Sequence, residues 1–253
     1  MTTVIATQSD NQAMQELLSE NLGGMALSTE DLIKIAIPAG GGTTWEIPTG
    51  AGDEVEPAKA IRGVVIAQLP LRLAFGDDKT LLCKSEDGKV GTPSDVLFAG
   101  PKPSGTCATC PLNQWGSKGK GKACADKMRL YIMREGDVLP ILITLPPTSL
   151  ANWRKYAVAL ATGARKAFYS VKTIISLKKI VPDGRDPYTV VQFTGGEACE
   201  EGEAQYYADF RINFIDMLKA TLEADTPMSD DEFMNQTHPN SKPDATKDDA
   251  PTF

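Results

Sequence analysis

Histidine is almost missing: His238 is the only one in 253 residues. That scarcity excludes nucleophile triads built on histidine, HExxH metalloproteases and nucleases that use a histidine base. Long hydrophobic runs are missing too. No stretch reaches eighteen uninterrupted apolar residues, so no segment reads as a membrane span. Met1 to Ser9 lacks a basic start followed by an apolar core, so it does not read as a secretory leader, and a cytoplasmic chain is expected. Aromatic residues are sparse at 7%, while 42% of the chain is hydrophobic and 23% charged, the balance of a globular protein.

The net charge of -7 conceals an uneven distribution. Residues 61–196 hold 20 Lys and Arg against 10 Asp and Glu, residues 1–60 hold 2 against 9, and residues 197–253 hold 4 against 14. A basic middle between acidic flanks reads as a polyanion-binding body with regulatory or recruiting ends.

Residues 10–22 pattern as a short amphipathic helix closed by Gly23 and Gly24. Leu32–Pro38 and Thr43–Pro48 read as a hairpin over Ala39–Gly42, and the acidic, turn-rich stretch 49–57 as a boundary. Beyond it the chain is strand-rich. Strands are predicted at Ile61–Phe75, where Pro70 marks a bulge or edge, and at Thr80–Lys84, Met128–Met133, Val138–Leu145, Ala167–Val181 and Tyr188–Thr194. One helix is predicted from Thr148 or Ser149 to about Ala161, with Trp153 and Tyr156 in the core, and another over Ala204–Glu223. From Ala224 onward the composition is that of a disordered acidic tail. The fold class expected is mainly β with flanking helices. It is an OB-like Greek-key barrel of five or six strands with a zinc-stapled loop. The organisation expected is an N-terminal extension (1–57), a nucleic-acid-binding body (58–196) with its loop at 83–127, a C-terminal helix (197–224) and a tail (225–253).

Five cysteines are present, and four have a ligand-like spacing. Cys107-x2-Cys110 is a knuckle, Cys124 follows after 13 residues, and Cys83 ends a strand just before the long loop begins. A structural zinc ion needs four soft ligands at tetrahedral corners, and a loop this poor in large apolar residues needs a cross-link to become ordered. Cys83 is preferred over Cys199 as the fourth ligand, since Cys199 lies beyond the barrel in an acidic stretch. Within the loop, Gly116–Lys122 spells GxxxxGK, but Ala123 stands where a phosphate-binding loop needs Ser or Thr. The run reads instead as a basic finger, with Lys118, Lys120 and Lys122 beside Trp115.

Strand alternation adds further candidates. In Met128–Met133, Arg129 and Tyr131 fall on one face with Met133. In the 167–181 strand, Phe168, Lys172 and Lys178 fall opposite a core face of Tyr169, Val171, Ile175, Leu177 and Val181. Arg72 is placed beside the same groove. Cations with aromatics suit unpaired bases and phosphates.

The final residues, Asp248-Asp249-Ala250-Pro251-Thr252-Phe253, resemble the acidic, phenylalanine-terminated tails of bacterial and phage single-stranded DNA-binding proteins. The central run resembles zinc-containing OB-fold members of the phage type: Cys83-Lys-Ser-Glu-Asp-Gly, Cys107-Ala-Thr-Cys110-Pro-Leu-Asn-Gln-Trp115-Gly-Ser, then Gly121-Lys-Ala-Cys124. The likeness covers roughly residues 60–195. It implies a non-enzymatic, sequence-nonspecific single-stranded DNA-binding protein of replication or recombination, whose Asp248, Asp249 and Phe253 recruit partner proteins. Two alternatives stand beside it: a zinc-stabilised interaction or regulatory module, for example of a polymerase, and an RNA-binding protein.

Overall fold

A computed structural model describes residues 16–17, 20–23, 27–49, 54–95 and 102–224. The acidic tail and its candidate residues Asp248, Asp249 and Phe253 lie outside them, as does most of the predicted N-terminal helix, of which residues 16–17 and 20–22 are helical. The chain is mainly β. Eight strands form one mixed sheet, β1 (Lys34–Ile35), β4 (Ala60–Phe75), β5 (Leu81–Ser85), β6 (Thr92–Pro93), β7 (Cys124–Met133), β8 (Ile141–Leu145), β9 (Val171–Ile180) and β10 (Tyr188–Ala198). The remaining two, β2 (Trp45–Pro48) and β3 (Val55–Ala58), pair with each other. The helices are α1 (Pro147–Ala159) and α2 (Glu201–Ala224). Among the described residues no helix is long and apolar enough to cross a membrane.

The sixteen residues of β4 organise the sheet. One edge pairs with β7 along most of its length; the other pairs first with β9 (Ala60–Val64) and then with β5 (Arg72–Phe75). Pro70 falls in the gap between those two partners, where a residue without an N–H is tolerated. A register shift between Val65 and Ala67 bends the strand at the same level. The sheet order is β1-β8-β7-β4-β5-β6, with β9 and β10 branching from β4. Among the described residues no ladder joins β10 to β1 or β8, so the pairing is not that of a closed barrel.

The expected N-terminal hairpin is replaced by two other pairings. β1 runs parallel to β8, and β2 pairs with β3 across the stretch read as a boundary. Burial explains the choice. Ile35, Trp45 and Ile47 all enter the main core, and the Trp45 indole N–H donates to the Ile175 carbonyl at 3.1 Å. A local hairpin would leave that surface in water.

That core lies on one face of the sheet, under α1, with Leu130, Ile132, Ile143, Ile175 and Trp153 among its members. The helix is fastened by polar contacts: the Val191 N–H donates to Ser149 Oγ at 3.0 Å, and Trp153 Nε1 donates to Gln68 Oε1 at 2.6 Å. Trp153 and Tyr156 are buried as the sequence predicts. The opposite face carries a second core beneath α2, with Val64, Ile66, Tyr131, Met133, Tyr207, Phe214 and Leu218. β7 is therefore buried on both sides over its last four residues, the apolar run Leu130–Met133. Val181, expected in the core, lies past the end of β9 and is largely exposed.

Tyr131 meets Phe214 edge-on, with ring centroids 5.2 Å apart. Its hydroxyl is buried without a hydrogen-bond partner. Burial holds the phenol above its usual pKa, with the neighbouring Arg129 opposing the shift. Two substitutions test this packing in urea unfolding. Phe214→Ala lowers stability by about 3–5 kcal/mol. Tyr131→Phe leaves stability unchanged or raises it by up to about 1–3 kcal/mol, because it removes an unsatisfied polar group.

Candidate nucleic-acid interface and cysteine cluster

Strand register brings the first two cysteines together. Ala74 on β4 stands opposite Cys83 on β5 and opposite Cys124 on β7, so all three side chains share a face. The two cysteines are two strand spacings apart, about 10 Å, with the smallest side chain of the three between them. The Cys107–Cys110 knuckle folds over this level. The Cys107 N–H donates to the Lys89 carbonyl at 2.8 Å, and the Gly91 N–H to the Gly105 carbonyl at 2.6 Å. Cys110 leads into a 3-10 turn, Pro111–Asn113, whose Asn113 side-chain amide donates back to the Cys107 carbonyl at 2.7 Å. Gly91 lies against Cys83: a Cβ there would stand 2.7 Å from the Cys83 sulfur.

Cys83, Cys107, Cys110 and Cys124 line a single cavity of about 10 Å³, room for one water-sized sphere. None of them forms a disulfide. Burial raises the Cys83 pKa, and Cys107 and Cys110 raise it further. Burial, then Cys107, pushes Cys124 up to about 11, with Arg72 as the opposing influence. Cys83 and Cys124 thus resist ionising beside the neighbouring thiols, a conflict that a soft divalent cation would relieve. Among the described residues no group of three or more His, Cys, Asp or Glu side chains is arranged as a metal-binding group. The sulfurs share a cavity without being drawn to one point. Donor type, number and enclosure nonetheless fit a structural ion with four thiolate ligands. Cys199 is elsewhere: its N–H donates to the Ser170 carbonyl and its thiol, pushed up to about 11 chiefly by burial, lies beside Glu203 and Lys172.

The loop carries the basic finger outward. Trp115 is 78% exposed. Gly116 and Gly119 have φ of 90° and 58°, and backbone bonds between Gly116, Lys118 and Gly121 close a tight turn. β7 follows at Cys124, with no helix N-terminus to receive a phosphate, so the GxxxxGK spelling is a turn. Lys118 reaches Asp77 at 3.2 Å while staying half-exposed, and Lys120 is exposed. Lys122 is held between Asn113 (3.2 Å) and Asp126 (3.3 Å), with its ammonium 5.8 Å from the centre of the Trp115 ring.

The remaining candidates do not share that surface. Tyr131 is fully buried under α2, and Arg129 is buried in a two-bond pair with Glu86, so neither lies on the open face that alternation predicts. The covering helix starts about seventy residues further along the chain, and no local pattern in β7 reveals it. Phe168 sits in a 3-10 turn before β9, half-buried against Trp153 and Tyr169, with Arg211 of α2 over its ring. Lys172 is paired with Glu203 at 3.2 Å. Lys178 is exposed on the outer face of β9. Arg72 lines the cysteine cavity and bonds Asp126 at 2.8 Å. Glu86, which Lys84 also contacts, comes from the turn after β5, and no local pattern predicts its pairing with Arg129.

No protein-family model, no curated protein and no solved structure matches the chain.

The Arg129–Glu86 pair gives a stability test. Glu86→Gln leaves a buried guanidinium without its charge partner and lowers unfolding free energy by about 3 kcal/mol, read from the urea midpoint.

Proposed function

We propose that this chain binds single-stranded DNA without sequence preference, in replication or recombination, through the Trp115 finger of a zinc-stapled loop. The observation that carries the reading is the pairing of two features in one loop. Four thiols line one cavity at its base, and an exposed tryptophan shares its outer turn with Lys118 and Lys120. An exposed indole offers a stacking face to any base, and the lysines neutralise phosphates. The role is binding rather than catalysis, on an OB-like arrangement in which the long β4 is shared between β7, β9 and β5.

Cys83, Cys107, Cys110 and Cys124 would hold the zinc ion. Bound there, it supplies a cross-link between β5, β7 and the knuckle, with no open position for chemistry. Residues of the chain do the rest. Asn113 and the 3-10 turn set the knuckle, and Lys122, fixed by Asp126 and Asn113, braces Trp115. Lys178, exposed on β9, extends the basic surface, and the acidic tail ending in Phe253 recruits partner proteins in this reading.

Titration of oligo-dT monitored by tryptophan fluorescence tests the proposal. Quenching with an affinity that falls steeply with salt is expected, and salt-independent or absent binding refutes it. Trp115→Ala weakens binding by about 1–3 kcal/mol. Replacing Lys118 and Lys120 together with Ala flattens the logarithmic salt slope by about 1.4, at roughly 0.7 per phosphate on a single strand. Stronger binding to an RNA oligomer in direct competition moves the assignment to RNA.

Elemental analysis tests the metal separately. One zinc per chain is expected, retained in Cys199→Ser and lost in Cys83→Ser. Chelation should weaken oligo-dT binding while the far-ultraviolet circular dichroism of the sheet persists.

A further inference from the structure

We infer that Arg72 is a positioning residue of the thiolate site, stabilising the bound ion by compensating its negative ligand charge, and is not a phosphate contact. The inference rests on the metal reading above and goes beyond it to a residue the sequence placed in the nucleic-acid groove.

Four thiolates around one divalent cation carry two net negative charges, and in an enclosed site that excess needs a fixed cation nearby. Arg72 is placed to supply it. It sits two residues before Ala74 on β4, on the same face, and lines the cavity together with all four cysteines. Its Nε is fixed by Asp126 at 2.8 Å, and its side chain is only 25% exposed. Asp126 does not cancel this charge, because the same carboxylate also takes Lys122 at 3.3 Å. Two cations share one carboxylate, so the trio keeps one net positive charge, and Arg72 is its member on the cavity wall. The contrast is Lys120 in the finger, whose side chain is exposed.

The test compares wild type with Arg72→Met and Arg72→Lys, each confirmed as folded by its urea midpoint. Zinc affinity is measured by competition with a chelator, cobalt is used as a spectroscopic substitute, and oligo-dT binding is titrated against salt on zinc-loaded protein. Arg72→Met should bind zinc about 10–100-fold more weakly, the cost usual for an outer-shell partner, with one ion per chain and an unchanged cobalt–thiolate spectrum. Arg72→Lys, which keeps the charge but not the planar fork, should recover part of that loss. The salt slope for oligo-dT should match wild type in both. Zinc affinity of Arg72→Met within twofold of wild type overturns the inference, and so does a salt slope flattened by about 0.7, the signature of one lost phosphate contact. Wild-type protein that binds no zinc overturns the metal reading and this inference together; wild type that binds zinc while Arg72→Met binds it equally well overturns this inference alone.

Discussion

The alignment of Cys83, Ala74 and Cys124 across three neighbouring strands is the constraint on which the rest of the loop depends. Pairing by one residue more or less would turn one cysteine to the other face of the sheet, because side chains alternate with a period of two. The register is held from below by the buried β4–β7 ladder, in which Val65 faces Ile132 and Val64 faces Met133. It is held at the loop itself by the small cluster of Ala74, Leu82, Leu112 and the cysteines. The excursion between β5 and β7 therefore need not fold by itself. Its knuckle is laid over a site that the sheet has already positioned, and the loop-closure entropy is partly met by the ladders on either side.

A second consequence of the β4 geometry is that the sheet is covered twice. α1 lies on one face and α2 on the other, and both touch the central strands. The exposed Trp115 belongs instead to the loop between β6 and β7. Arg211 shows how completely α2 occupies its face. Its Nε–H donates to the Ile66 carbonyl at 3.1 Å while its guanidinium lies over Tyr169 and Phe168. Aromatic and cationic side chains that would otherwise form a groove are used as packing.

Local signals carried much of this into the sequence. The boundaries of β4 and β5 follow from β-branched runs ended by turn residues, and α1 and α2 from helical spacing, whereas β10 starts at Tyr188 as predicted but runs past Thr194 to Ala198. The cysteine set follows from ligand chemistry, since Cys83, Cys107, Cys110 and Cys124 do share one cavity and Cys199 lies elsewhere. What was misread depends on distant partners. Gly40, Gly41 and Gly42 form a turn cluster that is compatible with a hairpin; the burial of Ile35 against β8 and of Trp45 against Ile175 decides otherwise. Arg129 and Tyr131 alternate as an open face would, and only the arrival of Phe214 and Glu86 from remote segments closes it. Period-two patterning reports which residues share a face, but not whether that face is wet.

The basic middle of the chain illustrates the same limit in electrostatic form. An excess of ten positive charges over residues 61–196 reads as a polyanion footprint. Much of it is committed internally: Arg129 and Lys84 to Glu86, Arg72 and Lys122 to Asp126, Arg134 to Asp137, and Lys172 to Glu203. A paired cation contributes little to counterion release, because its field is already cancelled within a few ångströms. The cations that count are those at the surface near an aromatic face: Lys120, exposed in the Trp115 loop, meets that condition, Lys118 meets it only in part because it is paired with Asp77, and Arg129 does not. Net charge thus marks a region of the chain rich in cations, and the distribution of carboxylates within that region decides which of them are paired.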